Sequence, residues 1–399
     1  MHSNIQKLYA IAGKPRKLII GLMSGTSLDG LDIALCSMEG NGIDTTMQLL
    51  NFETVLYTDD FKNEVRTVFS KKQIDLEKLC LLNPWIALQH AGMINTCLKK
   101  WNIKNEDVDL IASHGQTIYH APGTLHKQAK FGNATLQVGD GDHLAVATGI
   151  ITLSDFRQKN IAAGGEGAPL AVYGDYLLFG KKNEDRLLLN MGGIANFTWL
   201  PGRDEGDNIL CTDTGPGNTL MDAYMQEQFP GNFYDADALV ARAGHINADL
   251  LAALISHDFF SQPFSKTTGP ELFNPAYLQA AKEKSNTLDL PVEDTMATLN
   301  KFSADSIAMA VTECIKGKTG VKVFASGGGI HNPLLMEHLQ QLLPGCTFYS
   351  TNEEEVNPDA KEAILFALLA NEAVSGNAAT FTNKAGIPAV AMGKISFPA

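Results

Sequence analysis

The sequence lacks the features that mark several classes of protein. It has no apolar run long enough to cross a bilayer, and its N-terminal apolar patch is too short and interrupted for a secretory signal. Its six cysteines are scattered singly, without a CxxC pair or a histidine at metal-ligand spacing. Only 31 Lys and Arg stand against 44 Asp and Glu, and the resulting net charge of −13 repels phosphate backbones and anionic lipid. We therefore expect a cytoplasmic protein with reduced thiols that binds neither nucleic acid nor membrane.

The composition is that of a folded protein. Hydrophobic residues make up 45% and charged residues only 19% of the 399 residues, so the chain can bury enough apolar surface to fold, as two to three domains. Short β-branched runs closed by Gly-rich turns alternate with stretches of helical period, which indicates an α/β fold. The residues before Lys17 are expected to be a frayed leader.

Eight strands and six helices are predicted from this alternation. The predicted strands are Lys17 to Met23, Leu31 to Ser37, Val108 to Ala112, Ile150 to Leu153, Arg186 to Met191, Ala195 to Leu200, Ile209 to Thr212 and Val321 to Ala325. The predicted helices are Leu76 to Trp101 with a break at Pro84, Leu170 to Phe179, Ala248 to Phe259, Val292 to Lys316, Pro333 to Leu342 and Ala360 to Val374.

Three Gly-rich turns stand out. LIIGLMSGTSLDGLDIALC (residues 18–36) and RLLLNMGGIANFTWL (residues 186–200) each read as strand, turn, strand, so the chain uses one hairpin device twice. The third turn, FASGGGIHNPLL (residues 324–335), follows a strand and opens a helix. Free amides and a helix N-terminus attract phosphate. Together the three turns imply a nucleotide held between two similar lobes.

The first turn, SGTSLDG, combines two glycines, three hydroxyls and a carboxylate. Gly25 and Gly30 allow close backbone approach, and the amides and hydroxyls of Thr26 and Ser27 can surround phosphate oxygens. No Walker A sequence occurs in the chain, so a phosphate loop here would work without the P-loop lysine. An ordinary polar hairpin remains the alternative.

A candidate catalytic base follows from CTDTGPGNTLMDAY (residues 211–224). Asp213 is predicted at the end of a strand, before a Gly-Pro-Gly loop that opens a helix near Asn218. A carboxylate that faces helix-terminal amides stays ionised and can accept a proton from a nucleophile. A structural Asx turn is the alternative, and the two other phosphate-type turns favour the catalytic interpretation.

Further polar residues lie where ligands bind in open α/β sheets, after the carboxyl ends of strands. They are His114, Gln116, His120, Asp155 and Arg157. Arg157 suits a ligand that carries a carboxylate. The Gly164–Gly165 pair that follows can serve as a hinge. Glu362 lies inside an otherwise apolar helix, where a solvated glutamate is the alternative to a site role.

The motifs together resemble those of the anhydro-N-acetylmuramic acid kinases, a family of the sugar kinase, chaperone and actin ATPase superfamily. The motifs in family order are GLMSGTSLDGLD, SHGQTIYH, SDFRQKNIAAGGEGAPL, NMGGIAN, DTGPGNTLMDA, SGGGIHNPLL and DAKEAILFALL. They cover the chain from about Ile19 to Ala370.

The resemblance implies an α/β, two-domain actin-like ATPase fold of the ribonuclease H-like type, with ATP and sugar in the interdomain cleft. Domain I would comprise residues 1–168 plus 376–399 and carry the first phosphate loop and the sugar contacts. Domain II, residues 169–375, would carry the second phosphate hairpin, the catalytic aspartate and the adenosine site. The chain would cross between the lobes twice.

The resemblance also implies residue roles, with Asp213 as the catalytic base. The implied ATP-binding residues are Gly25, Thr26, Ser27, Leu28, Asp29, Gly30, Leu31 and Asp32 in the first loop, Gly192 and Gly193 in the second, and Gly327, Gly328 and Asn332 near the adenosine. The implied sugar-binding residues are His114, Gln116, Asp155, Arg157 and Glu362.

The implied reaction converts 1,6-anhydro-N-acetylmuramic acid, ATP and water into N-acetylmuramic acid 6-phosphate and ADP, with Mg²⁺ as cofactor, in the recycling of cell-wall amino sugars. A kinase of another amino sugar and a non-sugar ATPase remain alternatives, and a homodimer is left open. Two positions depart from the family pattern: Glu166 stands where Gln is usual, and the first strand lacks an Asp-x-Gly. No metal ligands are therefore assigned.

Overall fold

The computed structural model describes residues 2–168, 170–181, 183–202, 209–350, 359–376 and 388–399. The chain divides into two compact units. The first comprises Met1–Leu178 with Val356–Ala399, and the second comprises Phe179–Glu355. The chain thus passes from the first unit to the second and returns.

The described residues form twelve strands and fourteen α-helices, joined by turns and short 3-10 segments. The strands are β1 Arg16–Ser24, β2 Gly30–Glu39, β3 Thr46–Leu56, β4 Leu110–Ala121, β5 Ala134–Val138, β6 Thr152–Ser154, β7 Arg186–Met191, β8 Ile194–Leu200, β9 Leu210–Pro216, β10 Val321–Ser326, β11 Cys346–Ser350 and β12 Lys394–Ser396. The helices are α1 Ser3–Ala12, α2 Asp59–Arg66, α3 Leu76–Lys100, α4 Gly123–His126, α5 Gly141–Thr148, α6 Phe156–Ala162, α7 Ala171–Phe179, α8 Thr219–Gln228, α9 Leu239–Ala243, α10 Ala248–Ile255, α11 Pro275–Lys284, α12 Val292–Ile315, α13 Pro333–Leu342 and α14 Lys361–Ser375.

Within these described ranges, no single helix has the length and apolar character needed to span a membrane. The bent helix pair Ala236–Ala243 and Ala248–Ile255 has that length and composition only when its two parts are taken together.

The sheet of the first unit has seven strands in the order β12-β6-β4-β1-β2-β3, with β5 paired to β4. The β1–β2 and β2–β3 pairs are antiparallel, whereas β1–β4 and β4–β6 are parallel. The parallel β1–β4 pair needs a long crossover, and α3 lies in that connection.

The sheet of the second unit repeats this arrangement with five strands in the order β11-β10-β7-β8-β9. Its β7–β8 and β8–β9 pairs are antiparallel, whereas β7–β10 and β10–β11 are parallel. Each unit therefore has three antiparallel strands followed by two parallel ones, which is the ribonuclease H-like order. The predicted α/β fold with two domains of related core is confirmed.

Both faces of the first sheet are covered. Ile20 and Leu22 of β1 belong to a core cluster shared with α3, and the intervening Gly21 lies against Ala363 of α14. A strand buried on both faces reads as a continuous apolar run, which explains LIIGLM in the sequence. The second unit has two hydrophobic core clusters. One joins β7, β8 and β10 to α12 and α13, and the other joins the five helices α8, α9, α10, α11 and α12.

Most predicted elements occur within a few residues of their predicted bounds, and the departures have physical reasons. α3 continues through Pro84. The proline nitrogen cannot bond the carbonyl of Cys80, and Cys80 is an exposed residue. The predicted leader is wrong, because residues 3–12 form α1, with Ile11 buried and the side-chain amide of Asn4 donating to the carbonyl of Pro398 at 2.9 Å.

The division into units differs from the predicted boundaries at residues 168 and 375. Helix α14 packs against β1, β2 and β4, so it belongs to the first unit rather than to the second. The chain therefore returns to the first unit before α14. Residues 377–387 of the predicted C-terminal segment lie outside the described residues.

Candidate active site

The first predicted phosphate turn closes the β1–β2 hairpin. Leu28 is buried at the centre of the turn with φ +60°, so it anchors the turn while Thr26 and Ser27 stay exposed. The backbone N–H groups of Thr26 and Ser27 have no acceptor within the described part of the chain. A Cβ on Gly30 would lie 2.6 Å from the carbonyl oxygen of Val55. The turn thus presents free amides on a fixed base.

Gln116 holds this turn from below. It is fully buried, its Oε1 accepts a hydrogen bond from Ser24 Oγ at 2.5 Å, and its Nε2 donates to the carbonyl of Gly25 at 3.3 Å and to that of Thr117. Both ends of its amide are therefore engaged by the protein. Its predicted contact with the sugar stays a prediction.

Asp32 and Glu362 lie near each other at one end of the sheet. Asp32 on β2 accepts a hydrogen bond from Thr54 Oγ1 at 2.6 Å, and burial, with the charge of Asp359 in addition, raises its pKa. Glu362 is exposed on the first turn of α14, close enough to Asp32 and Arg157 for their charges to act on it.

Arg157 links β4 to the Gly-rich segment after α6. Its Nε donates to His114 Nε2 at 2.9 Å and its Nη1 donates to the carbonyl of Gly167 at 2.7 Å. Burial, aided by the Arg157 charge, lowers the pKa of His114 to about 3. His114 is therefore neutral, and because Nε2 accepts, its proton is on Nδ1. The predicted sugar residues His114 and Arg157 are thus in contact.

Asp155 begins α6 in a left-handed conformation, φ +57°, and forms an ion pair with Lys394 of β12. A cavity of about 240 Å³ lies beside it. The residues around the cavity include His114, Asp140, Ser154, Asp155 and Lys394. Two of the predicted sugar residues therefore line one polar cavity.

The predicted Gly164–Gly165 hinge is braced by Asn160. A Cβ on Gly165 would lie 2.1 Å from Asn160 Oδ1, the atom that accepts the N–H of Gly167 at 2.8 Å. Glycine at 165 therefore serves close packing. Glu166, the departure from the family pattern, is exposed.

In the second unit, the hairpin turn at Gly192 and Gly193 is fastened to the start of α8. The carbonyl of Gly192 accepts the N–H of Asn218 at 2.8 Å. The carbonyl of Gly193 accepts the N–H groups of Gly217 at 2.8 Å and of Thr219 at 3.0 Å. The N–H groups of Gly192 and Gly193 have no acceptor within the residues described, so this turn also presents free amides.

The third turn lies against the second. A Cβ on Gly327, which has φ +82°, would lie 2.7 Å from the carbonyl oxygen of Met191, and one on Gly328 would lie 3.5 Å from Asn218 Nδ2. Asn332 caps α13, with Oδ1 accepting the N–H of Leu335 at 3.0 Å and the amide of Asn300 at 2.9 Å. The structure therefore brings the predicted second and third turns together.

Asp213 lies in the middle of β9 rather than at the end of a strand as predicted, because β9 continues to Pro216 and takes in most of the predicted Gly-Pro-Gly loop. Its Oδ2 accepts the N–H of Thr268 at 2.8 Å, whereas Oδ1 has no hydrogen-bond partner among the described residues. Burial raises the pKa of Asp213, the Thr268 N–H lowers it, and the charge of Glu271 raises it further. One carboxylate oxygen is thus fixed and the other is available.

The loop that holds Asp213 was not predicted from the sequence. The carbonyl of Lys266 accepts the N–H of Asp213 at 2.9 Å, and its ammonium donates to the carbonyls of Phe259 and Phe260. Asp222 on α8, whose pKa burial raises to about 6, was not predicted either. Asp222 stands in the motif TLMDAY, so the sequence offered a signal for it. The loop KTTGPE (residues 266–271) has no sequence feature that predicts its contact with β9.

The predicted site residues fall into two sets. The first unit contains the first phosphate turn, Leu31, Asp32 and the five predicted sugar residues. The second unit contains the other predicted residues, which are Gly192, Gly193, Asp213, Gly327, Gly328 and Asn332. Among the described residues, no group of three or more His, Cys, Asp and Glu side chains is placed to hold a metal ion.

The chain is similar to proteins of one family throughout its length. The family model described as anhydro-N-acetylmuramic acid kinase matches residues 17–397. A relative of that name from Pseudoalteromonas atlantica is 56% identical over 100% of both chains, and one from Caldanaerobacter subterraneus is 36% identical over 98% of this chain and 100% of its own. A solved hexokinase from Schistosoma mansoni, complexed with glucose, is 11% identical, aligns over 88% of this chain and 85% of its own, and has a TM-score of 0.38, a likeness too weak to support a conclusion.

Proposed function

The chain belongs to the anhydro-N-acetylmuramic acid kinase family, and from this premise we propose that it opens the anhydro ring of 1,6-anhydro-N-acetylmuramic acid with water and phosphorylates the freed 6-oxygen. ATP is the phosphoryl donor, and the products are N-acetylmuramic acid 6-phosphate and ADP. The observation that carries the proposal is the match of the family model over residues 17–397. The reaction would serve the recycling of cell-wall amino sugars in the cytoplasm.

Asp213 is proposed as the general base. The anhydro bridge blocks the 6-oxygen until water attacks the anomeric carbon, so Asp213 takes a proton from that water. The bond between the anomeric carbon and the 6-oxygen breaks, and that oxygen attacks the γ-phosphorus of ATP. The carboxylate of Asp213 supports this role, because one of its oxygens is fixed by the N–H of Thr268 and the other is available.

The two hairpin turns are proposed to bind the phosphates of ATP. Phosphoryl transfer depends on positioning and on electrostatic stabilisation of the transferred group. The amides of Thr26 and Ser27 in one turn, and of Gly192 and Gly193 in the other, donate no hydrogen bond among the described residues, which supports the assignment. The third turn, with Gly327, is proposed to lie near the adenosine.

Mg²⁺ fits the residues present in the first unit. This ion keeps several waters and binds through one or two carboxylates together with substrate phosphates, so it needs no cluster of three side chains. Asp32, near the start of β2 and beside the first phosphate turn, would supply such a carboxylate. When bound, the ion spreads the negative charge of the phosphates.

The sugar is proposed to bind at His114, Asp155, Arg157 and Glu362 in the first unit. The contact of Arg157 with His114 and the polar cavity beside Asp155 support this placement. The guanidinium of Arg157 would recognise the carboxylate of the muramic acid.

Isotope labelling tests the reaction. Turnover in oxygen-18 water should place heavy oxygen on the anomeric carbon and none in the transferred phosphate, because water attacks carbon. An ordinary kinase of an open amino sugar would incorporate none, and a non-sugar ATPase would place the label in free phosphate.

The freed anomeric centre exchanges its oxygen with water, so the product must be sampled early. Unlabelled product incubated in the same water is the control for that exchange. Label in phosphate, or its absence from early sugar product, would overturn the proposed reaction.

A further inference from the structure

A chain of buried hydrogen bonds connects the first phosphate turn to helix α3. Ser24 Oγ donates to Gln116 Oε1 at 2.5 Å and lies 2.6 Å from Tyr57 Oη, which in turn lies 2.9 Å from His90 Nε2. All four side chains are at most 4% exposed. None of the predicted site roles includes Tyr57 or His90.

The protons of this chain run in one direction. The single proton of the Ser24 hydroxyl goes to Gln116, so the Tyr57 hydroxyl must donate to Ser24 Oγ. Tyr57 then has no proton left for His90, and His90 Nε2 must donate to Tyr57. Burial keeps His90 neutral, with a pKa lowered to about 4, so its ring carries the proton on Nε2.

Tyr57 holds both ends of the turn. Its backbone N–H donates to the carbonyl of Asp29 at 3.0 Å, and its hydroxyl holds Ser24 at the other end. Its ring is fixed by stacking on Phe61, with centroids 3.9 Å apart. The amide of Gln116 completes the support by donating to the carbonyl of Gly25.

We propose that Tyr57 and His90 are positioning residues, which set the backbone of residues 24–29 in the conformation that presents the amides of Thr26 and Ser27 to the phosphates of ATP. The proposal rests on the proposed function of this turn. A buried hydrogen-bond network with every proton assigned permits a single arrangement of its members, and preorganised donors bind phosphate without a cost of reordering at each turnover.

Three variants test the proposal by steady-state kinetics, and a fourth serves as their control. Tyr57→Phe removes only the hydroxyl, and His90→Leu removes the ring donor. Each should raise the KM for ATP about fivefold, the effect of one lost buried hydrogen bond, and leave the KM for sugar unchanged. His90→Gln restores an N–H donor and should return the KM for ATP towards that of the parent protein.

Tyr277→Phe is the matched control, because the Tyr277 hydroxyl donates to the carbonyl of Leu254 at 2.5 Å in the second unit. It removes a hydroxyl from a partly buried hydrogen bond outside the proposed site, so it should change the melting temperature without changing the KM for ATP. Hydrogen exchange of residues 24–29 should accelerate in Tyr57→Phe and not in Tyr277→Phe.

Equal values of the KM for ATP in Tyr57→Phe and Tyr277→Phe would overturn the proposal, as would a His90→Gln variant no better than His90→Leu. If Tyr57→Phe does not fold, the two His90 variants decide the question. Calorimetry of ATP binding to Gly25→Val measures the turn separately. If Gly25→Val binds ATP more weakly but Tyr57→Phe has unchanged kinetics, only the positioning role is refuted. If Gly25→Val binds ATP as the parent protein does, the proposed function of the turn is refuted.

Discussion

At the scale of single residues, Asp213 carries the sharpest prediction. Asp213→Asn should lower kcat by about a hundred- to ten-thousand-fold, because the amide cannot accept a proton. The affinity for ATP should stay nearly unchanged, since the amide is isosteric and its oxygen still accepts the N–H of Thr268. Rapid-quench turnover and calorimetry measure the two quantities.

The same carboxylate predicts a pH dependence. A general base works when deprotonated, so activity should rise with pH through the pKa of Asp213. Because burial and Glu271 raise that pKa against the Thr268 N–H, the acid limb should lie above the ordinary range of aspartate. The pKa of Asp222 is also raised, to about 6. If Asp222→Asn abolished the acid limb of the pH profile, that limb would belong to Asp222 and not to Asp213.

Gly25 tests the phosphate turn. A Cβ at this position would meet only Ser27 Oγ at 3.6 Å, so Gly25→Val should fold. Its branched side chain would occupy the space of a phosphate oxygen, and ATP affinity should fall by about tenfold or more while sugar affinity holds. Gly132→Val, in open space, is the control. Unchanged calorimetric affinity for ATP in Gly25→Val would remove this turn from the site.

Some residue contacts could be read from the sequence and others could not. The short spacing within SGTSLDG predicts a turn, because local geometry fixes it, and the structure has a turn there. The loop predicted within DTGPGN is strand up to Pro216, because pairing with β8 extends β9. The contact of Asp213 with Thr268 joins residues 55 positions apart, and Gln116 reaches Ser24 across 92 positions. Tertiary packing alone decides such pairs.

At the scale of elements, Gly21 sets the distance between β1 and α14. A Cβ on Gly21 would lie 1.9 Å from the carbonyl oxygen of Ala363 and 3.1 Å from the nitrogen of Ala367. Gly21→Ala should therefore destabilise the protein by at least about 1–3 kcal/mol. The displaced helix also carries Glu362, so the KM for sugar should rise.

Urea unfolding measures this effect against Gly92→Ala in α3. Gly92 is exposed and has open space around its Cβ position, so alanine there should stabilise the helix by about 0.5–1 kcal/mol. If Gly21→Ala proved as stable as the parent protein, the close packing of α14 on β1 would be refuted.

Element prediction succeeded where the pattern was strong. The apolar run of β7 and the proline-started helix α13 have the predicted bounds. The strand β3 was missed, because it lies at the sheet edge with partly buried residues among exposed ones, and its polar residues were interpreted as a loop. β4 was predicted to end at Ala112 but continues to Ala121, since its polar residues His114 and Gln116 are buried by contacts that sequence periodicity does not report.

At the scale of the whole molecule, the two units differ in how the chain builds them. The second unit is one continuous segment with its own core clusters. The first unit is built from two segments, and its sheet is covered on one face by α14 from the second of them. Ile364, Phe366 and Leu368 of α14 are fully buried.

This difference predicts the behaviour of fragments. Residues 179–355 should fold alone and unfold cooperatively. Residues 1–178 should not, because three large side chains of α14 contribute about 5–9 kcal/mol of burial, which equals the whole stability of a typical domain. Co-expression of residues 356–399 with residues 1–178 should restore folding, as measured by near-ultraviolet circular dichroism and loss of dye binding to exposed apolar surface. A cooperative transition in residues 1–178 alone would show that α14 is dispensable to the first unit.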